Sequence, residues 1–219
     1  QLNDGIDSIY FSASIYVNAP PIIVSKPNDL IQYGDIYKYK MIAEDRNVFS
    51  PVDSSALNEI IFSIILGPDS MYIDEDNVLF WDTNGELLGE HVISIDASDG
   101  YANDTQTFSI FVNSMPSISI SDSVSAKVNE KLYFQINATD KNIMDTLTYH
   151  LNPIVGDMVM ELHNGMLTWT PSNEKIGKNP FILQVKDGHD IKGSVLEFDI
   201  FVYDLPYLTC KLPDQAFID

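Results

Sequence analysis

Two short acidic stretches stand out among the residues of this chain that could do chemistry. They read AEDRN at 43–47 and ATDKN at 138–142, and each directly follows a segment that alternates large apolar and polar residues. Farther along the chain, each is followed by a tryptophan and then by an Asp-Gly pair, which begins at Asp99 in one case and at Asp187 in the other. Carboxylate and amide oxygens are the ligands that Ca²⁺ prefers in proteins. The repeated stretches therefore indicate candidate cation ligands that occur twice.

The other reactive residues form no catalytic pattern. The four histidines form neither H-x-x-x-H nor H-E-x-x-H, and the sequence contains no G-x-S-x-G and no phosphate-binding glycine loop. The single cysteine, Cys210, rules out an internal disulfide and a Cys-rich zinc site in this chain. Because the chain has 32 acidic residues, a pair of carboxylates in some cleft is expected and does not by itself indicate glycoside hydrolysis. We therefore predict that the chain is not an enzyme.

The charge balance restricts the partners of the protein. The 32 acidic residues outnumber the 12 basic ones, and the formal net charge is −20. Nucleic-acid binding needs a basic surface that displaces counterions, and anionic lipid attracts basic segments, so we expect no nucleic-acid partner and no docking on anionic membranes. The sequence has no apolar run long enough to span a bilayer. An acidic surface is typical of an extracellular protein or of one that binds cations.

The elements that must position the aspartates repeat along the chain. The segments at 4–17, 99–112 and 187–202 each begin with Asp-Gly and end in apolar residues at every second position. Glycine supplies the positive φ of a tight turn, and a period of two predicts a half-buried strand. Trp81 and Trp169 each lie 18 residues before the next Asp-Gly. This equal spacing indicates two full copies of one structural repeat.

The landmarks divide the chain into four predicted segments. These are the final strand of a preceding repeat at 1–17, repeat A at 18–113, repeat B at 114–203, and the first strand of a following repeat at 204–219. Each linker contains proline, which cannot continue a hydrogen-bonded ladder. We therefore expect that the chain belongs to a longer array of repeats.

The fold class follows from the spacing of the strands. Strand signals recur about every 8–12 residues with turn residues between them, and no segment keeps a helical period. A repeat of about 90 residues with this pattern predicts a β-sandwich of about seven strands. The whole chain is thus predicted to be all-β, built of tandem Ig-like or cadherin-like sandwiches with the tryptophans as core anchors.

The order of the motifs resembles the cadherin-like, dystroglycan-type Ig-like repeats of cell-surface proteins. In repeat B the matching pieces are YFQINATDKN, DTLTYHL, NGMLTWTPS, FILQVKDG and FDIFV. Repeat A differs by an insertion around NVFSPVDSSALNE and by Asp82 where the pattern has threonine. The resemblance implies stalk or adhesion modules, and it implies calcium between domains, because some related cadherin repeats bind it there. The linkers lack the D-x-N-D-N that calcium-binding cadherins share.

The strand order predicts where the aspartates meet. If successive strands reverse direction, the second and the sixth strand end at the same pole of a repeat, where the preceding linker also enters. The groups expected to gather there are Asp45, Asp96 and Asp99 in repeat A and Asp140, Asp187 and Asp190 in repeat B. Crowded carboxylates repel one another unless a cation screens them, which makes calcium sites between domains physically plausible. The alternative is that these are turn residues that hydrogen-bond their own backbone.

Two functions from different classes remain open at this point. The first is a structural stalk or filament segment of a larger extracellular surface or adhesion protein, whose partners are neighbouring repeats of the same polypeptide or of identical subunits. In a filament, the end strands at 5–17 or 206–218 would complete a neighbouring sandwich. The second is a module that binds a cell-surface protein or glycan through the insertion at 49–58, because binding residues concentrate on loops. Asn103 and Asn137 lie in N-glycosylation sequons.

Overall fold

The computed structural model describes residues 17–46, 59–120, 123–189 and 193–205, together with the backbone of 2–3 and 8–9. The chain divides into two compact units, Gln1–Asn113 and Ser114–Asp219, which we call the first and the second unit. Among the described residues, every regular element is a β-strand except for one 3₁₀ turn. None of these residues belongs to a helix with the length and apolar character needed to cross a membrane.

The first unit contains eleven described strands. They are β1 (Leu2–Asn3), β2 (Ser8–Ile9), β3 (Ile22–Ile23), β4 (Leu30–Gln32), β5 (Ile36–Lys40), β6 (Ala43–Glu44), β7 (Ile61–Leu66), β8 (Tyr72–Ile73), β9 (Val78–Asp82), β10 (Gly89–Ser98) and β11 (Asn103–Asn113). One sheet has the order β4-β11-β10-β7 and another the order β5-β9-β8, while β1 pairs with β2 and β3 with β6. All of these pairs are antiparallel except β4 with β11.

The second unit repeats this arrangement. Its strands are β12 (Ser117–Ser119), β13 (Val124–Lys127), β14 (Leu132–Gln135), β15 (Asn137–Thr139), β16 (Thr148–Asn152), β17 (Val159–Met160), β18 (Met166–Trp169), β19 (Gly177–Lys186) and β20 (Ser194–Tyr203), with the 3₁₀ turn at Asn173–Lys175. The sheets have the orders β13-β20-β19-β16 and β14-β18-β17, and β12 pairs with β15. The parallel pair is β13 with β20, in the place that β4 and β11 occupy in the first unit.

Alternation of apolar and polar residues builds one core in each unit. In the first unit Tyr37 and Tyr39 of β5 point inward with Trp81 of β9, and they meet buried residues of β10 and β11 from the opposite sheet. In the second unit Trp169 of β18 packs edge-on against Phe181 of β19, with 5.9 Å between ring centroids. Each tryptophan is buried between the two sheets of its unit. The predicted all-β fold is confirmed.

Asp-Gly turns close the long hairpins in both units. The turn after β10 contains Gly100 at φ +89°, and the turn after β19 contains Gly188 at φ +94°. These positive φ values are unfavourable for residues that have a Cβ atom, and glycine adopts them readily. Each turn follows a strand of ten residues, so the aspartate before the glycine stands at the end of that strand.

Candidate metal centre

Three aspartates of the second unit meet where two strands end. Asp140 directly follows β15, Asp187 directly follows β19, and Asp145 lies in the loop between β15 and β16. One oxygen of each carboxylate lies within 4.8 Å of one oxygen of each of the others. The structure therefore brings the two sequence-predicted residues Asp140 and Asp187 together and adds Asp145, which is not among the predicted ligands.

Short local hydrogen bonds fix two of the three carboxylates and the loop that carries the third. Asp140 Oδ1 accepts the backbone N–H of Asn142 at 2.8 Å, and Asp187 Oδ1 accepts the backbone N–H of His189 at 2.8 Å. The N–H of Asp145 donates to the carbonyl of Asn142 at 2.9 Å. Aspartate forms such turns because its short side chain reaches the amide two residues on. The turn interpretation therefore accounts for one oxygen of Asp140 and one of Asp187.

The second oxygens of Asp140 and Asp145 are less well satisfied. Asp187 is 4% exposed, and the side chain of Asp145 is 9% exposed. Oδ2 of Asp140 and Oδ2 of Asp145 are buried, and neither has a hydrogen-bond partner among the described residues. Burying a charged oxygen without a partner is costly, and native proteins rarely do it. These two atoms fit a bound cation.

The charges in the group repel one another. Burial raises the pKa of Asp140, and the nearby charges of Asp187 and Asp145 raise it further, although the hydrogen bond from Asn142 opposes the shift. A basic side chain at the group is His189, whose Nε2 lies 3.4 Å from Asp145 Oδ1 and whose side chain is 37% exposed. A raised carboxyl pKa means that the ionised form is disfavoured at this position. A divalent cation would reverse that preference.

The corresponding aspartate of the first unit has a different environment. Asp99 Oδ2 accepts a hydrogen bond from Asn18 Nδ2 at 2.8 Å, and its Oδ1 accepts the N–H groups of Tyr101 and Ala102 at 2.8 and 2.7 Å. Burial alone would raise the pKa of Asp99, but these hydrogen bonds outweigh it and lower the pKa. Both oxygens are thus satisfied by amide donors.

The predicted ligands of the first unit do not belong to this group. Asp96 Oδ1 accepts from Asn103 Nδ2 at 2.8 Å and from Thr105 Oγ1 at 2.7 Å. Asp45 follows β6 and is partly buried. In the described part of the chain, one group of three acidic side chains could share an ion, and it contains none of Asp45, Asp96 and Asp99.

Several predictions concern residues outside the described ranges. These are Asp190, Cys210, the insertion at 49–58, the strand at 206–218 and most of the strand at 5–17. The two sequon residues are described: Asn103 is exposed at the start of β11, and Asn137 is exposed on β15. The amide of Asn103 is engaged by Asp96, so the two sequons differ in their surroundings.

Comparison with solved structures concerns the fold. Drosophila OTK, extracellular domains 3–5, is similar over 86% of this chain and 63% of that chain, with a TM-score of 0.59 and 11% identity. Sidekick-1 immunoglobulin domains 1–4 are similar over 89% of this chain and 51% of that chain, with a TM-score of 0.55 and 14% identity. An endo-fucoidan hydrolase from glycoside hydrolase family 107 is similar over 85% of this chain and 29% of that chain, with a TM-score of 0.33 and 16% identity. The chain thus spans less than two thirds of each of these structures.

No family model matches the sequence, and no curated protein matches it. Similarity at such low identity supports the fold alone, and the hydrolase, with its low TM-score, carries no argument about activity. The OTK and Sidekick-1 similarities support tandem Ig-like or cadherin-like sandwiches. They do not single out the dystroglycan type among such repeats.

Proposed function

We propose that this chain is a non-catalytic stalk segment of a larger extracellular surface or adhesion protein, in which a bound divalent cation fixes one pole of the second unit. Two sandwich units in one chain support this role, as does the similarity to OTK extracellular domains and Sidekick-1 immunoglobulin domains. The net charge of −20 suits a soluble surface segment and disfavours nucleic-acid partners. Its direct partners are the neighbouring repeats of the same polypeptide or of identical subunits.

The proposal of a bound cation rests on the group formed by Asp140, Asp145 and Asp187. Two ligands at about 2.4 Å on opposite sides of an ion are about 4.8 Å apart, so one oxygen from each residue can contact a single ion. Calcium is the candidate ion, because carboxylate oxygens are the ligands that it prefers. Bound there, a cation ties the end of β15, the following loop and the end of β19 together. It stabilises the folded state by an amount that grows with the logarithm of the cation concentration once this exceeds the dissociation constant, because the cation binds that state alone.

The test is thermal unfolding of the full chain with chelator and with added divalent cation. We expect the cation to raise the melting temperature of the wild type and of Asp99→Asn, and to have little effect on Asp187→Asn. The two substitutions are a matched pair, because each changes the aspartate of the Asp-Gly turn in its own unit. A shift that survives in Asp187→Asn, or that no divalent cation produces in the wild type, would contradict the proposed site.

A further inference from the structure

The two N-glycosylation sequons lie on strands of different units. A sequon consists of an asparagine and, two residues farther on, a serine or threonine. In β11 these residues are Asn103 and Thr105, and in β15 they are Asn137 and Thr139. Residues two apart on a strand point to the same face, and all four side chains are exposed. Exposure alone therefore does not distinguish the two sequons.

The fold accounts for both residues of the first sequon. Asp96 Oδ1 accepts hydrogen bonds from Asn103 Nδ2 at 2.8 Å and from Thr105 Oγ1 at 2.7 Å. Asp96 lies opposite Thr105 in the β10–β11 ladder, so the three side chains form one cross-strand group. Hydrogen bonds to an ionised acceptor are the stronger ones. Asparagine and threonine at these two positions thus have a structural role, which is to satisfy the carboxylate of Asp96.

The fold gives no such role to the side chains of the second sequon. Neither the amide of Asn137 nor the hydroxyl of Thr139 has a hydrogen-bond partner among the described residues. The residue between them, Ala138, is the one that packs against the core. Asparagine is also unfavourable in strands. The asparagine of β15 therefore contributes its backbone to the β12–β15 pair, while its side chain has no part in the fold.

The surface beside Asn137 leaves room for a bulky attached group. Ser119 lies opposite Asn137 in the β12–β15 pair, and Ser117 lies opposite Thr139. Both serines are exposed. Side chains that face one another across a strand pair have Cβ atoms about 4.5–5.5 Å apart, so the nearest cross-strand neighbour of the Asn137 amide is a small hydroxyl side chain. A group on Asn137 can project into solvent without displacing a packed residue.

We propose that Asn137, and not Asn103, carries an N-linked glycan in the secreted protein. The co-reactant is an oligosaccharide on a lipid diphosphate, which the secretory pathway supplies together with the transferase. Asn137 Nδ2 forms a bond to the anomeric carbon of the first sugar and loses one proton. The bond from that carbon to the diphosphate oxygen breaks, and the lipid diphosphate leaves with the electron pair. This inference rests on the extracellular location in the proposed function and does not depend on the cation.

The test is secretion of the full chain from eukaryotic cells, followed by enzymatic release of N-glycans and peptide mass spectrometry. The enzyme converts a glycosylated asparagine to aspartate, so the wild-type chain reports the modified position directly. We expect Asn137 to be converted and Asn103 to be unchanged. Modification of Asn103, alone or together with Asn137, would overturn the inference, and so would a secreted chain without an N-glycan.

Substitutions at the two threonines test the assignment while both asparagines stay in place. Thr139→Ala destroys the second sequon and should abolish the glycan, whereas Thr139→Ser keeps the hydroxyl and should retain it. Thr105→Ala is the matched control in the first sequon and should leave the glycan in place. A glycan that persists in Thr139→Ala, or that is lost in Thr105→Ala, would contradict the assignment.

A second measurement tests the structural difference in chain that is produced without glycosylation. Asn103→Ala removes a hydrogen bond to Asp96 and should lower the melting temperature by about 4 °C. Asn137→Ala should leave the melting temperature almost unchanged. An equal loss in Asn137→Ala would overturn the inference, because Asn137 would then have a role in the fold.

The outcomes separate this inference from the proposed cation site. A secreted chain that lacks the glycan but is stabilised by a divalent cation would overturn the glycosylation of Asn137 and leave the cation site standing. A chain that carries the glycan on Asn137 but gains no stability from a cation would support this inference and overturn the cation site.

Discussion

At the scale of single residues, two equivalent aspartates show how one amide changes the chemistry of a turn. Asp99 and Asp187 each precede the glycine of a hairpin turn, and both are buried. Asp99 receives the side-chain amide of Asn18, whereas Asp187 lies beside two further carboxylates. The first is a satisfied turn residue, and the second is a candidate ligand. Hydrogen bonds to an ionised carboxylate stabilise it by about 1.5–3 kcal/mol each.

The lowered pKa of Asp99 predicts the pH dependence of the first unit. A carboxyl whose pKa is lower in the folded state than in the unfolded state stabilises the protein above the unfolded value, and this contribution is lost as the pH falls through the folded value. Asp99→Asn should therefore destabilise the first unit by about 2 kcal/mol at pH 7. The difference from the wild type should narrow as the pH falls below the ordinary value of 3.8.

Urea unfolding at a series of pH values, followed through Trp81 in a Trp169→Phe background, measures this effect. Asp69→Asn is the control, because Asp69 is an exposed aspartate of the first unit. A loss of stability in Asp99→Asn that stays constant from neutral to acidic pH would contradict the role of the ionised carboxylate.

At the scale of elements, the turn between β17 and β18 depends on the absence of a side chain at Gly165. This residue has φ +71°, and a Cβ there would clash with the carbonyl oxygen of Ile136 and lie 2.9 Å from Cε1 of Tyr149. Gly177, at the start of β19, has φ +105°, but a Cβ there would meet no heavy atom of the described residues within 4 Å. A side chain at Gly177 would therefore meet only the backbone penalty, whereas a side chain at Gly165 would also meet a steric clash.

Alanine substitutions at these two glycines should differ in cost. Gly177→Ala should destabilise the second unit by about 1–2 kcal/mol, the cost of a left-handed conformation. Gly165→Ala should cost about 3 kcal/mol, because overpacking is added to the same backbone penalty. Chemical denaturation of both variants measures the difference. Equal losses would mean that the structure around Gly165 accommodates the methyl group without strain.

At the scale of the whole molecule, each unit has its own core and its own buried tryptophan. Trp81 belongs to the core of the first unit and Trp169 to that of the second, and the chain contains two tryptophans. Fluorescence can therefore report the unfolding of each unit separately when the other tryptophan is replaced. The proposed cation contacts residues of the second unit alone.

Unit-resolved unfolding should show where a cation acts. In Trp81→Phe, where Trp169 reports, an added cation should raise the unfolding midpoint of the second unit by linkage. In Trp169→Phe, the midpoint reported by Trp81 should change little. The measurement is fluorescence-detected denaturation of both variants with cation and with chelator. A larger shift at Trp81 than at Trp169 would contradict a site in the second unit.

Local patterns in the sequence were sufficient to predict the strands but not the complete site. Alternation predicts β11 and β20, and Asp-Gly predicts their turns, because both signals lie within a few residues. The approach of Asp145 and His189 depends on how the loop after β15 folds against the end of β19, which no local period encodes. The spacing of Asp145 five residues after Asp140, just before the β16 strand, was the available signal. Likewise, the pairing of Asn18 with Asp99 spans 81 residues.

In the four-stranded sheet of each unit, the strands that come first and last in the sequence pair in parallel, and this pairing has a mechanical consequence. In the second unit β13 lies beside β20 with Val124 opposite Ile200 and Lys127 opposite Tyr203. Tension that pulls the beginning of β13 and the end of β20 apart acts along the two strands. The hydrogen bonds between them then bear the load together, in shear, instead of opening one after another. β4 and β11 give the first unit the same resistance to stretching.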